Sequence, residues 1–183
     1  MPFDHLWSTW RSGYTDRAVD ARSTLASHDG GPDGGSLFEQ ILASAGEDRE
    51  LGVVHRGPSC FVLLNRFPYT AGATMVLPNR AVADLESLEP NEFDELWWLV
   101  RTTVSATKAA LRPDACNVGI NLGVAAGGSL SEHLHVHVVP RWVGDANFMT
   151  SVAETRTLPI ALTDAWDRLR MAWPEQSDSP SLL

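Results

Sequence analysis

Apolar positions along the chain follow two periods, and the switches between them lay out the elements. From Leu37 the residues Leu37, Phe38, Ile41 and Leu42 recur with helical spacing and stop near Gly46, which predicts a short helix. Three apolar, β-branched runs follow: Leu51 to Val54, Phe61 to Leu64 and Thr74 to Leu77. Gly57-Pro58, Pro68, Gly72 and Pro78 bound them, as expected of an antiparallel meander. Between Pro90 and Leu111 the set Phe93, Leu96, Trp97, Val100, Val104 and Leu111 keeps a 3.6-residue period, with Pro90 suited to the first turn. That spacing predicts one long helix laid over the sheet. Pro113 prevents the helix from running on, and Cys116, Val118, Ile120 and Leu122 then alternate as in a strand. A glycine-rich loop leads to a further strand, His133 to Val139, and a C-terminal helix is expected within Leu158 to Trp173. The fold class is α+β, an antiparallel sheet with a long covering helix and a C-terminal helix packed on it.

At 183 residues the chain fits a single domain. Its core is expected over about residues 37–150, with a mobile Gly/Ser/Asp-rich loop at 23–36 and a disordered tail at 174–183. Trp7, Trp10, Arg11 and Tyr14 near the start are expected to pin that segment to the core or to a partner subunit. Charge narrows the partners. A formal net charge of -9 leaves no broad basic face to neutralise a nucleic-acid backbone, so no nucleic-acid partner is expected. A polyphosphate ligand would also be repelled at long range; short-range donors must hold it, or a divalent cation such as Mg2+ must accompany it. Cys60 and Cys116 are the only cysteines and have no C-x-x-C spacing, so neither a disulfide framework nor a zinc ribbon is expected and the cytoplasm is the expected compartment. Asp4, His5 and Arg11 interrupt the first fourteen residues, unlike a signal peptide, and no apolar run approaches the ~20 residues of a membrane span, so no membrane partner is expected.

The candidate chemistry lies in Ser131-Glu132-His133-Leu134-His135-Val136-His137-Val138-Val139-Pro140. Side chains alternate along a strand, so His133, His135 and His137 share one face while Leu134, Val136 and Val138 face the core. Half of the chain's 6 histidines fall within five residues, which surface decoration rarely produces. Imidazole suits phosphoryl chemistry because its ordinary pKa, about 6.5, leaves much of it neutral and nucleophilic at neutral pH. The middle ring has a neighbour on each side: one can orient it and the other can donate to a leaving phosphate oxygen, which makes His135 the candidate nucleophile. The acceptor of the resulting nucleotidyl-histidine, water or phosphate, is left open by these residues. A metal site is the strongest competing chemistry, since alternating histidines on a strand can chelate a divalent ion. Against it, Glu132 should point away from the histidine side, and the preceding Gly123, Gly127, Gly128 and Ser129 suit an anion, through backbone N–H groups and a hydroxyl.

The segment N-V-G-I-N-L-G-V-A-A-G-G-S-L-S-E-H-L-H-V-H-V-V-P-R-W resembles the signature of the histidine triad (HIT) superfamily of nucleotide hydrolases and transferases. The resemblance takes in N-R-F-P-Y-T-A-G-A-T-M-V-L-P-N-R from Asn65 to Arg80 and G-D-A-N-F from Gly144 to Phe148. The G-G-S-L ahead of the triad and the P-R-W after it look most like the diadenosine tetraphosphate phosphorylase branch. The resemblance implies a nucleotidyl intermediate on His135, with His133 and His137 supporting it and contacting the phosphates or the leaving group. It further implies phosphate contacts by Asn121, Gly128 and Ser129, a ribose contact by Asn65, and Trp142 close to the ligand. The implied substrate is a dinucleoside polyphosphate, cleaved to ADP and ATP with phosphate as acceptor. The alternatives are a hydrolase of dinucleoside polyphosphates or nucleoside phosphoramidates, and a non-catalytic nucleotide-binding protein. Many superfamily members carry a C-x-x-C zinc element where this chain reads Ser36-Leu37-Phe38-Glu39, and G-H and R-H where it has Gly72-Ala73 and Arg80-Ala81. No tightly bound metal is therefore expected at that element. Similar members form homodimers through the long helix and the sheet edge, so Trp97 or Trp98 is expected to face a partner subunit; whether such a dimer pairs into a tetramer is left open by the sequence.

Overall fold

A computed structural model of the chain describes residues 35–66, 68, 70–127, 130–145 and 160–174. The expectations for the aromatic N-terminal segment, for most of the 23–36 loop, for Gly128, Ser129 and the 146–148 part of G-D-A-N-F, and for the tail lie outside those residues. The described elements are α1 (Leu37–Ala43), α2 (Asp48–Leu51), β1 (Val53–Arg56), β2 (Cys60–Leu64), β3 (Thr74–Pro78), α3 (Pro90–Leu111), β4 (Ala115–Ile120), β5 (Val136–Arg141) and α4 (Leu162–Met171). The five strands form one antiparallel sheet in the order β1-β2-β3-β5-β4. The sequence-based α+β assignment therefore holds, long covering helix and C-terminal helix included.

Each face of the sheet has its own apolar cluster. On one, Val62, Leu64, Val76, Leu134, Val136 and Val138 pack under Leu96, Leu99 and Val100 of α3 and Ala165 and Leu169 of α4. Burial of this kind stabilises by roughly 25 cal/mol per Å2 of apolar surface removed from water. α4 is secured further by Trp166 Nε1, which donates to the Val53 carbonyl at 2.8 Å, and by the Arg49–Asp167 ion pair. On the opposite face Phe38, Val53, Phe61, Leu63, Met75 and Leu77 form a smaller cluster, with Ile41, Leu42, Leu51 and Leu130 at its margin. That second face carries the histidines.

Leu51, read as the start of a strand, ends α2, Leu122 lies beyond the end of β4, and two further details differ from the sequence reading. Along α3 the fully buried line includes Leu96, Leu99, Thr103 and Thr107, while Phe93 and Trp97 are exposed. The small residues Thr103, Ala106 and Thr107 let the helix lie close to the sheet, and large rings on that line would hold it away. Trp98, rather than Trp97, packs against the core. The other difference is at the histidines: the ladder begins at Val136, so His133 and His135 lie in the segment that enters β5 and only His137 is within it.

Candidate active site

The three histidines do share a face. β5 buries Val136 and Val138 on the helix side, so His137 projects to the other side, next to Met75 of β3 and Gly119 of β4 in the register. His135 stands beside it, with ring centroids 4.8 Å apart and planes nearly perpendicular. Phe38 from α1 closes the other end, its ring 5.3 Å from His133 and 5.6 Å from His135.

Hydrogen bonding gives the three rings different roles. The Nδ1–H of His135 donates to the His133 carbonyl at 2.9 Å. A carbonyl can only accept, so the proton of neutral His135 is on Nδ1 and the lone pair is on Nε2, the state an attacking imidazole needs. His133 has no exposed surface, and both its ring nitrogens are engaged. Its Nε2–H donates to the Pro78 carbonyl at 2.9 Å, and its Nδ1 accepts from the Ser36 hydroxyl at 2.6 Å. His133 therefore orients its neighbour from within the core. His137 is only half-buried, on the far side of His135.

Two of these rings are held neutral. Burial lowers the His133 pKa, partly opposed by the bond to Pro78. His137 is lowered from 6.5 to about 4, by burial first and by the charge of His135 second. The unfolded chain takes up protons near pH 6.5 and the folded chain does not, so both groups contribute stability that is complete above that pH. It is lost as pH falls, for His137 through a window reaching down to about 4. The melting temperature will accordingly drop between pH 7 and pH 5, and His137→Gln will flatten that slope. Equal slopes in the two proteins, followed by circular dichroism, would show that His137 does not contribute to it.

The other described candidates, Asn65, Asn121 and Trp142, directly follow β2, β4 and β5. β4 and β5 pair Gly119 with His137 and Ile120 with Val136, and Asn121 follows directly after the end of β4. Asn65 continues β2 with the parity of Phe61 and Leu63, and its N–H donates to the Ala73 carbonyl at 2.9 Å. Gly119 offers no side chain beside His137, and among the described residues nothing lies within 4 Å of where a Cβ would stand. After β4, Gly123 and Gly127 adopt φ of 74° and 95°, a left-handed backbone that side chains rarely accept, on either side of a tight turn at Val124–Ala126. Trp142 follows β5 in a turn where its N–H donates to Asp145 at 3.1 Å, and the same carboxylate pairs with Arg141 at 2.6 Å.

Sequence reasoning missed Ser36, Phe38, Glu39 and the Pro78 carbonyl. Ser36 N-caps α1 in a complete capping box: its hydroxyl accepts from the Glu39 N–H, and Glu39 accepts from the Ser36 N–H at 2.7 Å. The other oxygen of Glu39 accepts from the Ala81 N–H at 2.9 Å. These amides, that of Ala81 most strongly, hold the Glu39 carboxyl below its usual pKa. Many HIT proteins have their zinc element at these positions, but the residues here do not fit the ion. The Ser36 hydroxyl is committed to His133, both Glu39 oxygens to amides, and Ala81 has no donor atom. Among the described residues no group of three His, Cys, Asp or Glu side chains is arranged to hold a metal.

Residues 49–143 match the HIT domain family. The chain is 40% identical over 171 residues to the AP-4-A phosphorylase of Mycobacterium tuberculosis (strain ATCC 25618 / H37Rv), covering 93% of this chain and 85% of that protein. It is 34% identical over 93 residues to the asymmetrical bis(5'-nucleosyl)-tetraphosphatase of Schizosaccharomyces pombe, covering 51% of this chain and 50% of that one. Among solved structures, a zinc-bound histidine triad family protein of Mycobacterium smegmatis superposes with a TM-score of 0.61 at 24% identity, covering 78% of this chain and 94% of that one. The sheet, the triad and these matches define a histidine triad protein. The chain belongs to the HIT family.

Proposed function

We propose that the protein is a nucleotidyl transferase of the diadenosine tetraphosphate phosphorylase kind. The observation that carries this reading is the free Nε2 of His135, its lone pair fixed by the Nδ1–H bond to the His133 carbonyl, together with the name and 40% identity of the Mycobacterium tuberculosis relative. His135 Nε2 attacks the α-phosphorus of diadenosine tetraphosphate. A P–N bond forms, the P–O bond to the rest of the chain breaks, and ATP leaves. A phosphate oxygen then attacks the same phosphorus, the P–N bond breaks, and ADP is released. His137, neutral at physiological pH, acts as a hydrogen-bond donor to the phosphates and not as a cationic acid. Asn65, Asn121, Gly128, Ser129 and Trp142 are the proposed substrate contacts. Mg2+ is proposed to travel with the polyphosphate, offsetting the chain's net charge of -9, and no tightly bound metal is proposed.

Product analysis tests this. With diadenosine tetraphosphate and phosphate, chromatography will give ADP and ATP in equal amounts. AMP and ATP regardless of phosphate would replace the phosphorylase by a hydrolase, the reading that the name of the Schizosaccharomyces pombe relative supports. Nucleotide binding without products would leave a non-catalytic binding protein.

The proposed assembly is a homodimer, with further pairing into a tetramer as its extension, in the cytoplasm. β4 is an edge strand whose Val118 is 44% exposed, and Phe93 and Trp97 of α3 are exposed as well. Sedimentation at one chain mass would contradict the assembly. No helix among the described residues is long and apolar enough to cross a membrane.

A further inference from the structure

We propose that Ser36 and Glu39 are positioning residues for His135, acting through the His133 ring to fix which nitrogen of the nucleophile carries its proton. The inference rests on the role given to His135 above and extends it to the first turn of α1. Its starting point is that residues 133–135 precede the ladder: β3 pairs with β5 only over residues 136–138, and β4 only over 136–141. The sheet therefore does not determine where the His133 carbonyl points. Other bonds do. The Leu134 N–H donates to the Val82 carbonyl at 2.6 Å, and the His133 ring is held at both nitrogens, by Pro78 at 2.9 Å and by Ser36 at 2.6 Å. Pro78 ends β3 and Val82 follows it, so one side of this anchorage is the exit of that strand.

Ser36 is the other side, and it is held in turn. Its hydroxyl donates to His133 and accepts from the Glu39 N–H at 3.2 Å, while its own N–H is taken by Glu39 at 2.7 Å. Glu39 also takes the Ala81 N–H at 2.9 Å, which returns the network to the segment after β3. Phe38, between the two residues in sequence, packs on both His133 and His135. Each donor in the chain has an acceptor, and the last link is the Nδ1–H of His135 on the His133 carbonyl at 2.9 Å. Without the Ser36 hydroxyl, His133 Nδ1 is buried with no partner, its ring loses one of two anchors, and the peptide whose carbonyl selects the His135 tautomer is held less tightly, by the Leu134–Val82 bond and the remaining ring anchor at Pro78.

The test measures the ligand-free protein and the enzyme separately. Two-bond 1H–15N correlations will show wild-type His135 as a single tautomer with the proton on Nδ1. Ser36→Ala will give a mixture and lower kcat by about tenfold or more with KM changed less than about threefold, a size in keeping with loss of an outer partner of an active-site histidine. Ser36→Thr, which keeps the hydroxyl and the cap, will restore both. Glu39→Gln, with one acceptor where two are needed, will fall between. Gln40→Ala, exposed on the same helix, will leave both readouts at wild-type values. A folded Ser36→Ala protein with His135 still in one tautomer and kcat within twofold of wild type overturns the proposal. If Ser36→Ala does not fold, Glu39→Gln decides by the same two readouts. Because the tautomer is read without substrate, a failure of the phosphorylase reading would leave this measurement standing.

Discussion

His135→Ala will lower turnover of diadenosine tetraphosphate by about four orders of magnitude or more, the scale on which nucleophile removal acts in enzymes that pass through a covalent intermediate. The size follows from the division of labour on the histidine face. His133 has both ring nitrogens committed inside the core and cannot move out to attack. His137 is beside the nucleophile, but its ring is turned nearly perpendicular to that of His135 at 4.8 Å, so its nitrogen does not stand where the lost Nε2 stood. The proposed substrate contacts are spread over other residues, so KM will change far less than kcat. Initial rates and calorimetric binding of a non-hydrolysable analogue will separate the two. Retention of more than about a tenth of wild-type kcat would show that the reaction does not pass through His135. A phosphoramidate-linked nucleotidyl group on that residue, trapped by rapid quenching and located by mass spectrometry, is the positive counterpart.

Phe38→Ala will destabilise the protein by about 3–5 kcal/mol, the range for removing a buried aromatic ring from a core. Phe38 is the one buried residue of the seven-residue α1, and it joins that helix to Phe61, Leu63, Met75 and Leu77 of the sheet. A helix of two turns is marginal in water without such packing, so the loss acts on the whole element. Activity will fall as well, because the same ring sits against His133 and His135. Leu37→Ala is the control: Leu37 is 51% exposed, and a change there should stay within about 0.5 kcal/mol. Urea denaturation of the two variants measures the difference. A Phe38→Ala cost no greater than that of Leu37→Ala would mean that α1 is not docked through this ring.

Much of this arrangement was legible in the sequence because it rests on period and punctuation. Pro90 and Pro113 bracket α3, and the ends read from them and from the 3.6 period, Pro90 and Leu111, are those observed. The His-x-His-x-His alternation put three rings on one face whether or not every residue belonged to a ladder. The buried line of α3 was read correctly at Leu96, Val100 and Leu111 and missed at Phe93 and Trp97, since hydrophobicity favours those two rings while close packing favours Thr103 and Thr107. The partners of His133 are a different matter. Ser36 and His133 are 97 residues apart, and no periodicity links them. A local signal was nonetheless present: Ser-x-x-Glu ahead of an apolar run is the mark of a capping box, and it locates the start of α1 at Ser36. What that mark could not convey is that the cap hydroxyl has a second task.

The bare strand position at Gly119 separates two properties that active sites often tie together. No atom of the described residues lies within 4 Å of a Cβ built there, and the backbone is that of an ordinary strand, so alanine can be introduced at small cost to folding. The added methyl would narrow the space next to His137. The breadth of group admitted at this spot can thus drift, or be engineered, while the scaffold stays as it is.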